Sequence, residues 1–205
     1  ALSVNAGGVF SSQANITSAD NGPLAFLVNA NSTLISANST VTASSVNIAV
    51  AQGIDIFGNV IMSGQNPLIN LAGATINILG SIGTRRQSLS AGDDNGAANI
   101  NINAINNITI GSAGVVTADG ADGGIISMKA STINLSGYIS ANGLSGSGGY
   151  VDLSSNEFYI QNSRILANGS SGGGAISVVG VSAGLLAVSN GFVQTNGEAG
   201  PGGTI

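Results

Sequence analysis

Four aspartates carry the strongest case for chemistry in this chain: Asp93, Asp94, Asp119 and Asp122. Clustered carboxylates can hold calcium, or can act as acid and base in the cleavage of acidic polysaccharides when a basic residue stabilises the developing charge. No basic residue and no set of oxygen ligands at fixed spacing accompanies these four in the sequence. They therefore predict at most a weak calcium site, and surface carboxylates that keep the chain soluble are the simpler interpretation.

Arg85 and Arg86 form a second candidate group. They supply half of the four Lys and Arg residues of the chain and lie in an irregular stretch, 80–96, where its regular pattern is interrupted. Binding loops of repetitive proteins emerge from one face, so this stretch is a candidate contact loop. A surface insertion without a partner is the alternative interpretation.

Three tyrosines form a third group: Tyr138, Tyr150 and Tyr159. Each neighbours an apolar residue in a segment of alternating polarity, so the tyrosine rings are predicted to point outward. Exposed aromatic rings can stack on sugars or on partner chains. Single exposed aromatics are also common on ordinary surfaces, which leaves contact with surface glycans as one of two open interpretations.

The composition excludes several classes of function. The 205 residues include no His and no Cys, which removes the commonest metal ligand, the commonest general base and every disulfide, so we expect no enzyme and no cofactor. A net charge of -5 with four basic residues argues against nucleic acid as a partner. The long uncharged window 174–193 contains four glycines together with Ser and Asn, and it therefore predicts strands and no membrane span.

Double glycines divide the C-terminal half of the chain into repeats. They recur at 123–124, 148–149, 173–174 and 202–203, with spacings of 148 − 123 = 25, 173 − 148 = 25 and 202 − 173 = 29 residues. Two positions after each pair an alternating apolar segment begins, at Ile126, Val151, Ile176 and Ile205. A second alternating segment and a third short one follow, so each unit of about 25 residues is predicted to hold three short strands.

The third strand of each unit ends in an Asn-Gly pair: Asn142-Gly143, Asn168-Gly169 and Asn196-Gly197. Asn and Gly adopt left-handed backbone conformations more readily than other residues, so we expect these pairs to form the structural corners. One such unit cannot bury a core by itself, but units stacked as turns of a parallel coil can. Inward positions then form ladders of Val, Ile and Leu, while Ser, Thr and Asn pair along the outer faces, where stacked like charges would repel.

The whole chain, 1–205, is predicted to form a single all-β repeat domain. The repeats are clearest over 97–205, the irregular loop 80–96 interrupts them, and the register is loose over 1–64. A coil of about 25 residues per turn gives about eight turns for this length.

Two adjoining units, Gly123–Gly149 and Gly148–Gly174, read GGIISMKASTINLSGYISANGLSGSGG and GGYVDLSSNEFYIQNSRILANGSSGGG. They resemble the repeats of filamentous-haemagglutinin-like exoproteins, which are two-partner-secreted adhesins of Gram-negative bacteria. The resemblance implies a right-handed parallel β-helix and an extracellular or cell-surface role as an adhesin or fibre. The secretion domain of that family typically carries Asn-Pro-Asn motifs, whereas the nearest match here is Asn66-Pro67-Leu68. We therefore expect a shaft segment.

The final residues 202–205 begin a further repeat, so an uncapped coil is expected. Its unpaired backbone groups would recruit neighbouring β-helical repeats or identical subunits stacked end to end. Two other classes of function stay open at this point. One is a polysaccharide lyase or hydrolase that uses the four aspartates, and the other is a carbohydrate-binding module without catalysis.

Overall fold

The structure is a computed structural model that describes residues 1–17, 24–64, 67–84 and 98–205. Within these residues every regular element is a β-strand, and no helix long and apolar enough to cross a membrane is present. The strands of the first part of the chain are β1 (Leu2–Asn5), β2 (Val9–Ser12), β3 (Ala25–Ala30), β4 (Ser32–Ile35), β5 (Thr40–Ala43), β6 (Ser45–Val50), β7 (Gly53–Ile56), β8 (Asn59–Met62) and β9 (Leu68–Ile78). The remaining strands are β10 (Ser81–Thr84), β11 (Asn99–Ile110), β12 (Val115–Thr117), β13 (Ile125–Leu135), β14 (Tyr138–Ser140), β15 (Tyr150–Gln161), β16 (Arg164–Leu166), β17 (Ala175–Ser189) and β18 (Phe192–Gln194).

The strands form two sheets in which successive turns of the chain lie side by side. The first sheet follows the path β1-β3-β6-β9-β11-β13-β15-β17, with β2, β4 and β7 beside it, and the second runs from β5 through β8, β10, β12, β14 and β16 to β18. Every pairing is parallel and joins equivalent residues of neighbouring turns. The predicted parallel β-helix is therefore confirmed.

The coil has about seven turns, one fewer than the even division of the chain predicts. The difference arises because the number of residues in a turn varies along the chain, as the paired positions show. The Ile54–Ile76 step takes 76 − 54 = 22 residues, the Ile76–Ile108 step takes 108 − 76 = 32, and the Phe158–Leu186 step takes 186 − 158 = 28. The longer turns use up residues without adding a rung.

The number of strands in a turn changes along the coil. Residues 45–62 hold three separate strands, β6, β7 and β8, as predicted. From β9 onward the first two are joined into one strand of 11 to 15 residues, because β9 pairs with both β6 and β7 and the ladder continues around the bend. At the position of the bend, the pairing of the long strands shows a register shift, for example between Ser155 and Glu157 in the pairing of β15 with β17.

Columns of aliphatic side chains fill the interior. Ile126, Val151 and Ile176 pair in register and are 0%, 0% and 3% exposed, which confirms the stacking predicted from the double glycines. Ile205, the predicted next member, is not buried: it follows the single bridge from Thr204 to Ala175, and its side chain is 72% exposed. Each fully buried aliphatic side chain contributes about 1.5–3 kcal/mol to folding.

The double glycines are required by the spacing between turns. A Cβ atom on Gly149 would overlap the carbonyl oxygen of Gly124, and one on Gly174 would overlap that of Gly149. Both positions have ordinary backbone angles, since positive φ among described glycines occurs at Gly64 and Gly83. Glycine recurs at these positions because successive backbones approach closely there, and not because a left-handed conformation is needed.

Adjacent isoleucines on β13 allow a matched test of the column. Ile126→Ala should lower the free energy of unfolding by about 2–5 kcal/mol, because it opens a cavity among fully buried neighbours. Ile125→Ala, at a side chain 47% exposed, should change it by about 0.5 kcal/mol or less. Urea unfolding followed by far-ultraviolet circular dichroism measures both, and equal losses would contradict the inward placement of Ile126.

Candidate functional site

Side chains at the Asn-Gly corners form a ladder along one edge of the coil. The backbone N–H of Asn142 donates to Oδ1 of Asp119 over 2.7 Å, and that of Asn168 donates to Oδ1 of Asn142 over 2.9 Å. The next step repeats this geometry, with Asn196 N–H donating to Oδ1 of Asn168 over 2.7 Å. We call Asp119, Asn142, Asn168 and Asn196 the corner ladder. The side-chain oxygens of the first three members each satisfy a backbone donor of the following turn.

The glycines that follow the corner ladder continue the pairing. Gly143 N–H donates to the carbonyl of Asn168, and Gly169 N–H donates to that of Asn196, each over 2.8 Å. A Cβ atom on Gly143 would overlap the carbonyl oxygen of Ser147, so this glycine is required for close packing.

The left-handed conformation expected at these corners is absent there, and that part of the prediction was wrong. Among described non-glycine residues, positive φ occurs at Asn162 (52°) and Asn190 (53°), which follow β15 and β17 at the preceding corner of the coil. The pairs at 142–143 and 168–169 instead use the asparagine side chain as an acceptor. The φ angles of these pairs lie outside the left-handed region.

The structure gives the two described candidate carboxylates definite contacts. Asp119 is 4% exposed and is the first member of the corner ladder. Asp122 is exposed, and its Oδ1 accepts a hydrogen bond from the backbone N–H of Ser147 over 3.0 Å. Both carboxylates thus hold amides of the next turn. Asp93 and Asp94 lie outside the described residues, and calcium binding at the four aspartates stays a prediction.

No group of three or more His, Cys, Asp or Glu side chains with metal-binding geometry occurs within the part of the chain that the structure describes. Arg85 and Arg86 also lie outside that part, so the predicted contact loop has no described geometry.

The three tyrosines lie in separate columns. Tyr138 lies on the second sheet between Val115 and Arg164, and it is half-buried. Tyr159 is half-buried on β15, with its hydroxyl 3.5 Å from Oε2 of Glu157. Tyr150 is 41% exposed and lines a shallow groove that the double glycines leave along the coil. The structure therefore does not combine the tyrosines into one stacking platform.

Arg164 forms a contact that the sequence reasoning missed. Its guanidinium carbon lies 5.3 Å from the centroid of the Phe192 ring one turn away, which is cation–π geometry. The repeat alignment contained the signal, because Tyr138, Arg164 and Phe192 each directly precede the inward residue of the third strand. Residues at the same position of consecutive repeats lie next to each other when the repeats stack as turns of a coil.

Amide side chains pair along the outer faces, as predicted. Asn77 Nδ2 donates to Oδ1 of Asp55 over 2.7 Å, Asn101 Nδ2 to Oδ1 of Asn70 over 3.0 Å, and Asn134 Nδ2 to Oδ1 of Asn107 over 2.8 Å. These outer ladders connect neighbouring turns without like charges in register.

The turn that contains β17 and β18 leaves its aliphatic columns open. Leu186 and Val188 pair in register with Phe158 and Ile160, which are 2% and 3% exposed, yet they are themselves 57% and 55% exposed. No other strand pairs with the outer edge of β17, although Thr204 bridges to Ala175 near its start, and β18 is the last strand of the second sheet. Beyond that bridge, this end face combines an unpaired backbone edge with exposed apolar side chains.

The corner ladder can be tested at Asn168. Asn168→Ala removes the acceptor for Asn196 N–H, and it should lower the free energy of unfolding by about 1 kcal/mol. Asn168→Asp keeps an oxygen in the same place, as Asp119 does, and should cost clearly less. Urea midpoints and amide hydrogen exchange at Asn196 measure both effects. Equal destabilisation by the two variants would show that the side-chain oxygen does not support the corner.

Comparison with known proteins leaves the chain without an assigned relative. No protein-family model, no curated protein sequence and no solved structure matches it.

Proposed function

We propose that this chain is a mechanical segment of an extracellular fibre or adhesin at the surface of a Gram-negative bacterium. Its repeats resemble those of filamentous-haemagglutinin-like exoproteins, and neighbouring repeats or identical subunits stack on its ends. Support comes from the in-register parallel coil, in which the interior is occupied by aliphatic columns and the faces by short polar side chains. Such a coil is stiff along its axis because each turn is bonded to the next.

The observation that carries the proposal is the open end face on β17 and β18. An unpaired strand edge is a template for another parallel strand, and exposed Leu186 and Val188 lose water when a further turn covers them. The opposite end also presents an open face, since β1 is paired on one side only and Leu2, which pairs with the buried Phe26, is 39% exposed. Contact between unlike ends of identical subunits generates an open filament.

Charge does not oppose this contact among the described strands of the two ends. β1 and β2 read LSVN and VFSS, and β17 reads AISVVGVSAGLLAVS, so none of these strands contains an ionisable side chain. Association should therefore depend on apolar burial and backbone pairing, and should not weaken in high salt.

Two valines on β17 give a matched test of end-to-end stacking. Val188→Lys places an ammonium group in an aliphatic column, where stacking would bury it without a partner, so association should weaken at least about tenfold. The monomer should keep its melting temperature, since Val188 is 55% exposed. Sedimentation velocity over a concentration series measures the association, and negative-stain electron microscopy should show rods in multiples of about 35 Å.

Val179→Lys is the control. Val179 is 49% exposed on the same strand, but it pairs with Ser154 on the outer face, in the column that already contains Lys129. This variant should associate like the parent chain. Monomers at every concentration, or equal loss in the two variants, would reject end-to-end stacking through this face.

A further inference from the structure

Asn-Gly sequences have an intrinsic chemistry of their own. The backbone nitrogen of the glycine can attack the side-chain amide carbon of the asparagine, because glycine has no side chain to hinder ring closure. Four such pairs lie in the described residues, at Asn142, Asn168, Asn190 and Asn196. Asn142, Asn168 and Asn196 occupy equivalent positions in consecutive turns, and this makes them an internal comparison.

The two inner pairs have both reacting groups held in hydrogen bonds. Gly143 N–H, the nucleophile at the first pair, donates to the carbonyl of Asn168, and Oδ1 of Asn142 accepts from the Asn168 backbone. The second pair repeats this arrangement, with Gly169 N–H bonded to Asn196 and the Asn168 side chain accepting from the same residue. Asn142 is also 7% exposed. Ring closure there requires the turn to open first.

Asn196 differs from both because the corner ladder reaches its last member there. Its side chain is exposed, and within the described part of the chain no donor is bonded to its Oδ1. The backbone hydrogen bonds of this step flank Gly197: Gly169 N–H donates to the carbonyl of Asn196, and Glu198 N–H donates to the carbonyl of Gly169. Gly197 N–H therefore faces away from the previous turn, and no described acceptor is bonded to it.

We infer that Asn196 is a self-modification site, where the chain deamidates while the equivalent inner asparagines stay intact. The nitrogen of Gly197 forms a bond to Cγ of Asn196, the bond from Cγ to Nδ2 breaks, and ammonia leaves with the proton from the glycine nitrogen. One water molecule then opens the cyclic imide at either carbonyl and yields aspartate or isoaspartate. No enzyme, metal or oxidant is required.

Isoaspartate at position 196 moves the main chain through the former side chain and adds one carbon to the backbone. The carbonyl and amide groups of the corner then no longer match the spacing of the ladder. The reaction thereby alters the same edge of the coil that carries the unpaired strand β18. A turn stacked on that edge would supply bonds to Gly197 and Asn196 like those of the inner corners, and this protective effect rests on the proposed function.

The experiment follows the three asparagines in one sample of the folded, monomeric chain at neutral to mildly alkaline pH. Chymotryptic peptides separate them, since cleavage after Tyr138, Leu144, Leu166 and Phe192 places each in a different fragment and removes Asn190 from the Asn196 peptide. Mass spectrometry counts the conversion of amide to acid, and isoaspartate is identified by fragmentation. Asn196 should convert at least about tenfold faster than Asn142 and Asn168, the factor expected when one or two hydrogen bonds must open first.

Two controls fix the interpretation. In concentrated urea the three Asn-Gly pairs should convert at similar rates, since the ladder is then absent. Asn196→Gln should remove the fast conversion from the 193–205 fragment without changing the folded state. Equal rates at the three positions in the folded chain, or faster conversion at an inner corner, would overturn the inference. Measurement on the monomer keeps this result independent of end-to-end stacking.

Discussion

The structure depends on one constraint, which is that equivalent residues of successive turns lie one strand spacing apart, at about 4.8 Å. The constraint decides what each position can hold. Gly149 and Gly174 have no room for a side chain, because each faces a carbonyl oxygen of the previous turn. Ile126 and Val151 fit, because their branched side chains point into the coil and cover each other. A residue type is therefore selected once for each column and repeated in every turn.

The same spacing explains why the chain uses few charges. A carboxylate in a column meets its neighbour at about 4.8 Å, so two in register would repel. The described carboxylates avoid this by pairing with hydrogen-bonding neighbours: Asp55 with Asn77, and Glu157 with Thr132. Asp119 is the clearest case, since its buried oxygen accepts an amide as asparagine does in the following turns. Asparagine supplies the acceptor without the charge, which suits it to long columns.

The sequence predicts those features that repeat in every unit, and it fails where one turn differs from the next. The column of Ile126, Val151 and Ile176 follows from the double glycines alone. The outward pairing of amides follows from the repulsion that like charges would meet in a stacked column. The sequence does not predict that the first two strands of a turn are joined into one strand from β9 onward. The same alternation of apolar and polar residues occurs on both sides of the bend whether the hydrogen-bonded ladder is broken there or continuous. The corner ladder was located but misread, since Asn favours both left-handed backbone and side-chain capping, and spacing does not separate the two. Arg164 and Phe192 were missed because their residue types differ although their column is shared.

A coil built from columns has its weakest point where a column stops. An inner turn is bonded to strands on both sides, whereas the outer side of the turn of β17 and β18 is bonded only by the short segment 201–204 among the described residues, so its opening breaks fewer interactions. The exposed Leu186 and Val188, the unpaired edge and the unprotected Asn196 are consequences of this single asymmetry. A further turn on that edge would remove all three together, because it would bring its own carbonyls to Gly197 and its own aliphatic side chains to the columns. If the end stacks and Asn196 deamidates as proposed, the two processes compete for one surface, and the faster one determines whether the end remains able to extend the coil.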